Sequence, residues 1–250
     1  MSLLKAGDKD SEGNAIMHSF WAPEIHEIDG RLTILFMAGY GNTWSNGKSV
    51  YMQLKQDADG HDLDPTDPDN WTVPTPIYRN DASLLNGNKQ LAATASGGVG
   101  MSLDMTYFQD ADGRSYYAWQ QLGATYIATM DPKDPAHVTS SPVRIVTPEY
   151  AWNAAIAEGP NVTMRDGKLY LMFSGSGVGK TYTTGLAVAD AAGSDLTDPA
   201  SWTALNYPIQ KSGPFNGEMQ LGTGHGMWSE DEDGNQIYVF HAYATKNLAP

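Results

Sequence analysis

Short runs of alternating apolar and polar residues, separated by Asp-Gly pairs, are the main pattern along this chain. Asp-Gly between two strand-like runs is a strong hairpin signal, because the tight turn needs positive φ. The runs are too short for amphipathic helices. We therefore predict four β-hairpins of one type, with their turns at Asp29-Gly30, Asp112-Gly113, Asp166-Gly167 and Asp233-Gly234.

Further apolar runs follow the hairpins, at residues 49–54, 125–130 and 184–189. A unit of two hairpins is a four-stranded sheet, which is the repeat of a β-propeller. The turn glycines are 83, 54 and 67 residues apart, which indicates loop insertions rather than a strict repeat. We therefore predict an all-β fold of the propeller type, forming a single domain over residues 1–250.

The four repeats share a position nine residues before each turn glycine. Trp21, Asp104, Glu158 and His225 occupy it. In a propeller the first strand of each blade lines the central axis, so equivalent positions should converge at one end of the channel. Taken singly, residues of these types are most often turn or core residues. Their shared register is what makes them candidates for one site.

Two carboxylates beside an aromatic ring suit glycoside hydrolysis. One carboxylic acid protonates the leaving oxygen, and a second carboxylate activates water or attacks the sugar directly. Apposed carboxylates also raise one another's pKa, which can keep one of them protonated near neutrality. From the residues alone, Glu158 is the candidate acid and Asp104 the candidate base.

The composition and net charge of the chain limit which classes of molecule could bind at such a site. The net charge of −14 disfavours nucleic acid and anionic membranes, whereas a neutral carbohydrate is compatible with it. The absence of cysteine excludes disulfides and thiolate chemistry. No apolar run is long enough to span a membrane, and no signal peptide is visible at the start. Both bacterial cytoplasm and secretion therefore stay open.

Four motifs in order resemble family 43 of the glycoside hydrolases, over about residues 19–243. The motifs are Trp21-Ala-Pro-Glu, Leu103-Asp104-Met-Thr, Glu158-Gly-Pro-Asn and Gly222-Thr-Gly-His225-Gly. The resemblance implies a five-bladed β-propeller that acts on polysaccharides containing arabinose or xylose. The runs Tyr126-Ile-Ala-Thr-Met and Gly185-Leu-Ala-Val-Ala are most similar to the α-L-arabinofuranosidase branch.

The resemblance also implies roles for the four residues in an inverting reaction. Glu158 would be the general acid, and Asp104 would tune the pKa of Glu158 and orient it, in place of the base role above. Trp21 would line the sugar subsite. His225 would contact the sugar, or a hydrated cation such as a structural calcium ion in the central channel. No cofactor is required, and the expected substrates are oligosaccharides from arabinan, arabinoxylan or xylan.

One element of the family pattern cannot be matched. The general base is expected as an Asp in a first blade, but only 20 residues precede Trp21 and they show no hairpin pattern. Asp8 and Asp10 lie in a stretch that reads as a loop, so the base is unknown. We expect residues 1–18 to be a loop or to derive from expression, and the first blade and the C-terminal closing strands to be missing.

About three and a half blades are thus expected where the family has five. The chain could be truncated, a second copy could supply strands by self-association, or the chain could be a relative without full activity. The favoured function is an inverting α-L-arabinofuranosidase. The alternatives are a β-xylosidase of the same family and a carbohydrate-binding propeller without catalysis.

Overall fold

The computed structural model describes residues 2–85, 101–215 and 217–243. Within these ranges the regular structure is almost entirely β, with short 3-10 turns as the only helices, and none of these could span a bilayer. The chain divides into two compact units. The first unit is Met1–Met105 with Ala128–Pro142, and the second is Thr106–Ile127 with Val143–Pro250.

The first sheet is antiparallel and lies in the first unit, with its four strands in chain order. The strands are β1 (Ile16–Ile28), β2 (Arg31–Tyr40), β3 (Gly47–Gln53) and β4 (Thr75–Pro76). Phe36 of β2 and Val50 of β3 belong to one apolar core, to which Trp71 from the segment before β4 is added. Leu35 and Met37 on the opposite face of β2 are also buried, so the central strands of this sheet are covered on both faces.

The N-terminal stretch is more ordered than the loop expected for residues 1–18. Strand β1 already begins at Ile16, and a β-bridge joins Lys9 to Ala15. Asp10 is buried in the turn between them, where its carboxylate accepts a hydrogen bond from the Tyr40 hydroxyl at 2.9 Å. The sequence shows no hairpin pattern here because residues 7–14 are mostly polar residues and glycines that are typical of loops.

The second sheet has six strands. Their order is β5-β9-β8-β7-β6, and β10 also pairs with β8. Strand β8 pairs antiparallel with both β9 and β10, whereas β5 and β9 pair in parallel. The strands are β5 (Tyr78–Arg79), β6 (Leu103–Gln109), β7 (Ser115–Gln121), β8 (Ala124–Asp131), β9 (Asp134–Val138) and β10 (Val143–Val146).

The third sheet, in the second unit, is antiparallel with four strands in chain order. It consists of β11 (Ala157–Arg165), β12 (Lys168–Gly175), β13 (Thr183–Asp190) and β14 (Thr203–Ala204). Leu171, Phe173 and Ala187 from this sheet belong to the core of the second unit. Because β12 lies between β11 and β13, most of its side chains are buried.

The fourth sheet, also in the second unit, has three strands: β15 (Gly213–Phe215), β16 (Glu218–Glu230) and β17 (Gln236–Tyr243). Along β17, half-buried and exposed residues alternate. Among the described residues, β17 pairs with β16 alone. Residues 244–250 lie outside the described ranges, so the expected loss of closing strands stays a prediction.

The four Asp-Gly turns are of two kinds, and the prediction of a single hairpin type was wrong. In two of them both residues of the pair have positive φ, as a two-residue hairpin loop requires: Asp29 and Gly30 at 52° and 68°, Asp166 and Gly167 at 49° and 74°. The other two, Asp110–Arg114 and Asp231–Asn235, are longer. There the carboxylate of the first Asp accepts backbone N–H groups two and four residues on. Asp110 and Asp231 therefore each stabilise a wider turn.

Candidate active site

The nine-residue register corresponds to a local irregularity in the first strand of three hairpins. The pairing of β1 with β2 shifts between Trp21 and Glu24, and that of β11 with β12 shifts between Glu158 and Asn161. In β16 the shift follows Gly224, one residue before His225. Bulges re-aim side chains and are frequent next to functional sites.

Left-handed backbone accompanies the same positions. In two repeats the position itself has positive φ, 57° at Asp104 and 46° at His225. In the other two repeats the next residue has positive φ instead, 49° at Ala22 and 59° at Gly159. Positive φ outside glycine is uncommon and clusters at functional sites. The shared register is therefore a property of the backbone as well as of the sequence.

Glu158 is a buried carboxyl, with 4% of its surface exposed. It lies on β11 directly opposite Ser174 of β12. The hydroxyl of Tyr182, just before β13, donates a hydrogen bond to its Oε1 at 2.5 Å. Buried carboxyls need such partners, because an unpaired charge is costly to remove from water.

His225 on β16 is brought to Glu158 by two contacts. Its backbone N–H donates to the Ser174 hydroxyl at 2.6 Å. Its imidazole lies against Gly159, where an added Cβ would come within 3.3 Å of Nδ1. Gly159 thus serves both the left-handed backbone and the close approach of the ring. The structure brings Glu158 and His225 together in the second unit.

A row of stacked rings continues from His225. The His225 and His241 rings are 6.4 Å apart at 23°, and the His241 and Tyr182 rings are 5.7 Å apart at 16°. Burial, followed by the nearby charge of His225, lowers the pKa of His241 from its ordinary value. Gly224 leaves room for the Tyr182 ring, since an added Cβ would meet its Cδ1 at 2.4 Å.

The other two candidates belong to the first unit. Trp21 is 46% exposed at the bulge of β1, so its indole face is open to a ligand. Asp104 is buried at the start of β6, with 3% of its surface exposed. Trp21 is thus an exposed aromatic residue and Asp104 a buried carboxyl, and their roles at a carbohydrate site stay predictions.

Three residues near Glu158 were missed from the sequence: Ser174, Tyr182 and His241. Counting forward would have found two of them, because Ser174 and His241 each lie seven residues after a turn glycine. These positions pair with the first strand beside the bulge, Ser174 with Glu158 and His241 with Gly224. Tyr182 follows a loop of variable length, so no fixed spacing from the turn identifies it.

The described residues contain one group of three side chains that could hold a metal ion: Asp57, Asp59 and His61, all exposed. They belong to a five-residue turn in which the Asp57 carboxylate accepts the backbone N–H groups of Asp59 and His61, both at 2.9 Å. The hydrogen bonds of this turn explain the group. It belongs to the first unit, whereas His225, beside which the cation was predicted, belongs to the second.

Comparison with known proteins identifies the class. The family model for glycosyl hydrolases family 43 matches residues 2–249, and this chain belongs to that family. It is 28% identical over 240 residues to an extracellular exo-α-(1→5)-L-arabinofuranosidase of Streptomyces avermitilis, covering 92% of this chain and 44% of that protein. It is 29% identical over 233 residues to α-L-arabinofuranosidase 43 of Humicola insolens, covering 88% and 42%.

Among solved structures, the chain resembles an α-L-arabinofuranosidase from Lactobacillus brevis, with a TM-score of 0.73 and 26% identity over 95% of this chain and 73% of that one. The predicted fold class, all-β of the β-propeller type, is thereby confirmed, as is the predicted family. The chain spans about half the length of the curated relatives it matches, 44% and 64% for the first two.

Proposed function

We propose that this chain is an inverting glycoside hydrolase that releases arabinofuranose from arabinose-containing plant oligosaccharides. The observation that carries the proposal is the buried Glu158 carboxyl, held by Tyr182 beside His225 on a bulged strand. Support for the sugar comes from the relatives, since those named above are arabinofuranosidases.

In this proposal Glu158 is the general acid. It gives its proton to the glycosidic oxygen as the bond to the anomeric carbon breaks, while water attacks the opposite face of the sugar. Asp104 is the second carboxyl, which tunes the pKa of Glu158 and orients it. Burial favours the neutral form of a carboxyl, which is the form that a general acid needs before transfer.

Trp21 and His225 are the proposed sugar-binding residues. The exposed indole of Trp21 can stack on the apolar C–H face of a sugar ring. His225 can donate or accept a hydrogen bond to a hydroxyl. Calcium takes oxygen ligands, so a structural calcium ion would reach His225 only through a bound water. The reaction itself requires no cofactor.

The general base is not assigned. Asp10 is the buried acid of the N-terminal segment, but its carboxylate accepts the backbone N–H groups of Glu12 and Asn14 as well as the Tyr40 hydroxyl. These bonds explain Asp10 as a turn residue. Because no general base is assigned, a carbohydrate-binding propeller without catalysis is the second candidate function.

The test is the Glu158→Gln variant with nitrophenyl α-L-arabinofuranoside, nitrophenyl β-D-xyloside and arabino-oligosaccharides as substrates. We expect kcat to fall by about 10²–10⁴-fold, which is the usual contribution of a general acid. The exposed Glu149→Gln is the matched control and should leave kcat unchanged. NMR of the first product should show the β anomer if the reaction inverts.

Parallel calorimetry with the same oligosaccharides separates the alternatives. Binding without turnover by the unmodified chain would favour the binding module. Faster cleavage of the xyloside would favour a β-xylosidase. A folded Glu158→Gln variant with unchanged kcat would contradict the assignment of the acid.

A further inference from the structure

We infer that Tyr182 is the positioning residue for Glu158: its phenol holds the carboxyl group through Oε1 in the orientation from which the proton is transferred. The inference rests on the proposed role of Glu158 as general acid. It starts from the hydrogen bond that the Tyr182 hydroxyl donates to Oε1 at 2.5 Å.

The Tyr182 ring is fixed from several sides, so its hydroxyl has little freedom to leave the carboxyl. The residue is 1% exposed, and its backbone N–H donates to the Gly179 carbonyl at 3.1 Å. One ring face stacks on His241 at 5.7 Å, and the ring occupies the space that Gly224 leaves without a Cβ. A side chain locked by packing is what a precise catalytic geometry needs.

Two other buried tyrosines of this chain also donate to carboxylates, and they show what is special about Tyr182. Tyr40 donates to Asp10 and Tyr116 to Asp110, at 2.9 and 3.0 Å. Both of these aspartates also accept two backbone N–H groups of their own turn, so these pairs stabilise hairpins. Glu158 lies within a strand, beside its bulge, where no turn needs a carboxylate.

The chemistry gives the hydroxyl a defined task. When the Glu158 carboxyl gives its proton to the glycosidic oxygen, the bond from that oxygen to the anomeric carbon breaks and a carboxylate remains. The Tyr182 O–H donates to that carboxylate, so it stabilises the charge that develops as the proton leaves. Neighbouring elements bring two further titratable groups to this part of the unit, His225 on β16 and His241 on β17.

The first test observes Glu158 directly and needs no activity. The chain has eight glutamates, so ¹³Cδ-labelled glutamate should give a resolvable NMR titration, with Glu158→Gln assigning the signal. Removing the donor in Tyr182→Phe should raise the Glu158 midpoint by about one pH unit, because the carboxylate loses a charge-assisted hydrogen bond. Tyr116→Phe is the matched control and should leave that midpoint unchanged.

The second test uses the reaction. In Tyr182→Phe, kcat/KM for an arabino-oligosaccharide should fall by about threefold to tenfold, because one pKa unit weakens the acid tenfold and a fraction of that difference is expressed in the transition state. The loss should be smaller for a nitrophenyl arabinofuranoside, whose leaving group needs less protonation. The alkaline limb of the pH profile should move upward. If Tyr182 had a purely structural role, both substrates would be affected equally and the alkaline limb of the pH profile would not shift.

Gly224→Ala provides a variant that keeps the hydroxyl but displaces the ring, and it should shift the midpoint in the same direction. An unmoved Glu158 midpoint in a folded Tyr182→Phe variant would overturn the inference, whether or not the chain is active. A shifted midpoint in a chain that hydrolyses nothing would support the contact and overturn the acid role of Glu158. An equal loss for both leaving groups would overturn the positioning role.

Discussion

The β11–β12 hairpin of the third sheet and the β16–β17 hairpin of the fourth share a bulged first strand, but they differ in turn length and strongly in burial. Each hairpin begins with a bulged strand, β11 or β16, and continues through a turn that contains Asp-Gly to a second strand, β12 or β17. Phe173 and Phe240 both lie six residues after the turn glycine. Phe173 is fully buried, whereas Phe240 is half-buried on a strand whose neighbours are exposed.

This difference shows which features of a hairpin depend on its own sequence and which depend on neighbouring strands. The strand, its turn and its bulge form in both sheets, so the local sequence determines them. Burial is determined by the strands on either side: β12 pairs with β11 and β13, while β17 pairs with β16 alone in the described part of the chain. The same sequence pattern therefore makes a core strand in the third sheet, whereas in the fourth it makes the outermost of the described strands.

The largest expected effect tests this contrast at the two phenylalanines. Phe173→Ala should lower the free energy of unfolding by about 3–5 kcal/mol, because it opens a cavity in a closed core. Phe240→Ala should cost only about 1 kcal/mol, since its site is already partly in water. Urea denaturation of both variants measures the difference. Equal losses would show that β17 is as well covered as β12.

A smaller effect is expected where the two sheets are joined. Asn161 Oδ1 accepts the backbone N–H of Trp228 at 2.8 Å, which connects β11 to β16. Asn161→Ala should cost about 1–3 kcal/mol, because it removes the acceptor of a partly buried N–H. Asn235→Ala, in an exposed turn, is the control and should change stability by less than about 0.5 kcal/mol. Trp fluorescence in urea can follow both. A loss no larger than the control's would mean that the sheets do not depend on this bond.

The smallest effect concerns pH, and it should come from the fourth sheet. The pKa of His241 is lowered in the folded protein by partial desolvation of its ring, although the residue stays exposed, and by His225. Its protonation therefore opposes folding, so its contribution to stability is present above about pH 6.5 and is lost as the pH falls through the unfolded value. We expect the Tm to fall from pH 7.5 to 5 less steeply in His241→Gln. Parallel profiles for this variant and the unmodified chain would exclude His241 as the source.

The sequence predicted the hairpins, the fold class and the family because these depend on local patterns that repeat. It failed where one pattern has two solutions. Asp112-Gly113 and Asp233-Gly234 look like Asp29-Gly30, but a second aspartate upstream makes a longer turn. It also missed the ordered N-terminal segment, whose Asp10 is buried by a contact with the distant Tyr40.

For the candidate site, counting from the turn glycines led to Glu158 and His225 because the bulge recurs at a fixed distance. The general base stays unknown, and the roles of Trp21, Asp104, Glu158 and His225 all stay predictions. Tyr182 could not be found by counting, since it follows an irregular loop and reaches Glu158 only through the pairing of β13 with β12. Supporting contacts of this kind depend on tertiary packing, which spacing does not encode.

Strand β17 has a consequence for handling the protein. Residues 236–243 contain no lysine, acid or proline, the residues that usually prevent edge strands from pairing with other molecules. Molecules are kept apart mainly by the shared charge of −14, and salt at about 0.1 M screens charge beyond about 10 Å. We therefore expect colloidal stability to decrease as ionic strength rises, even where the fold itself is unaffected.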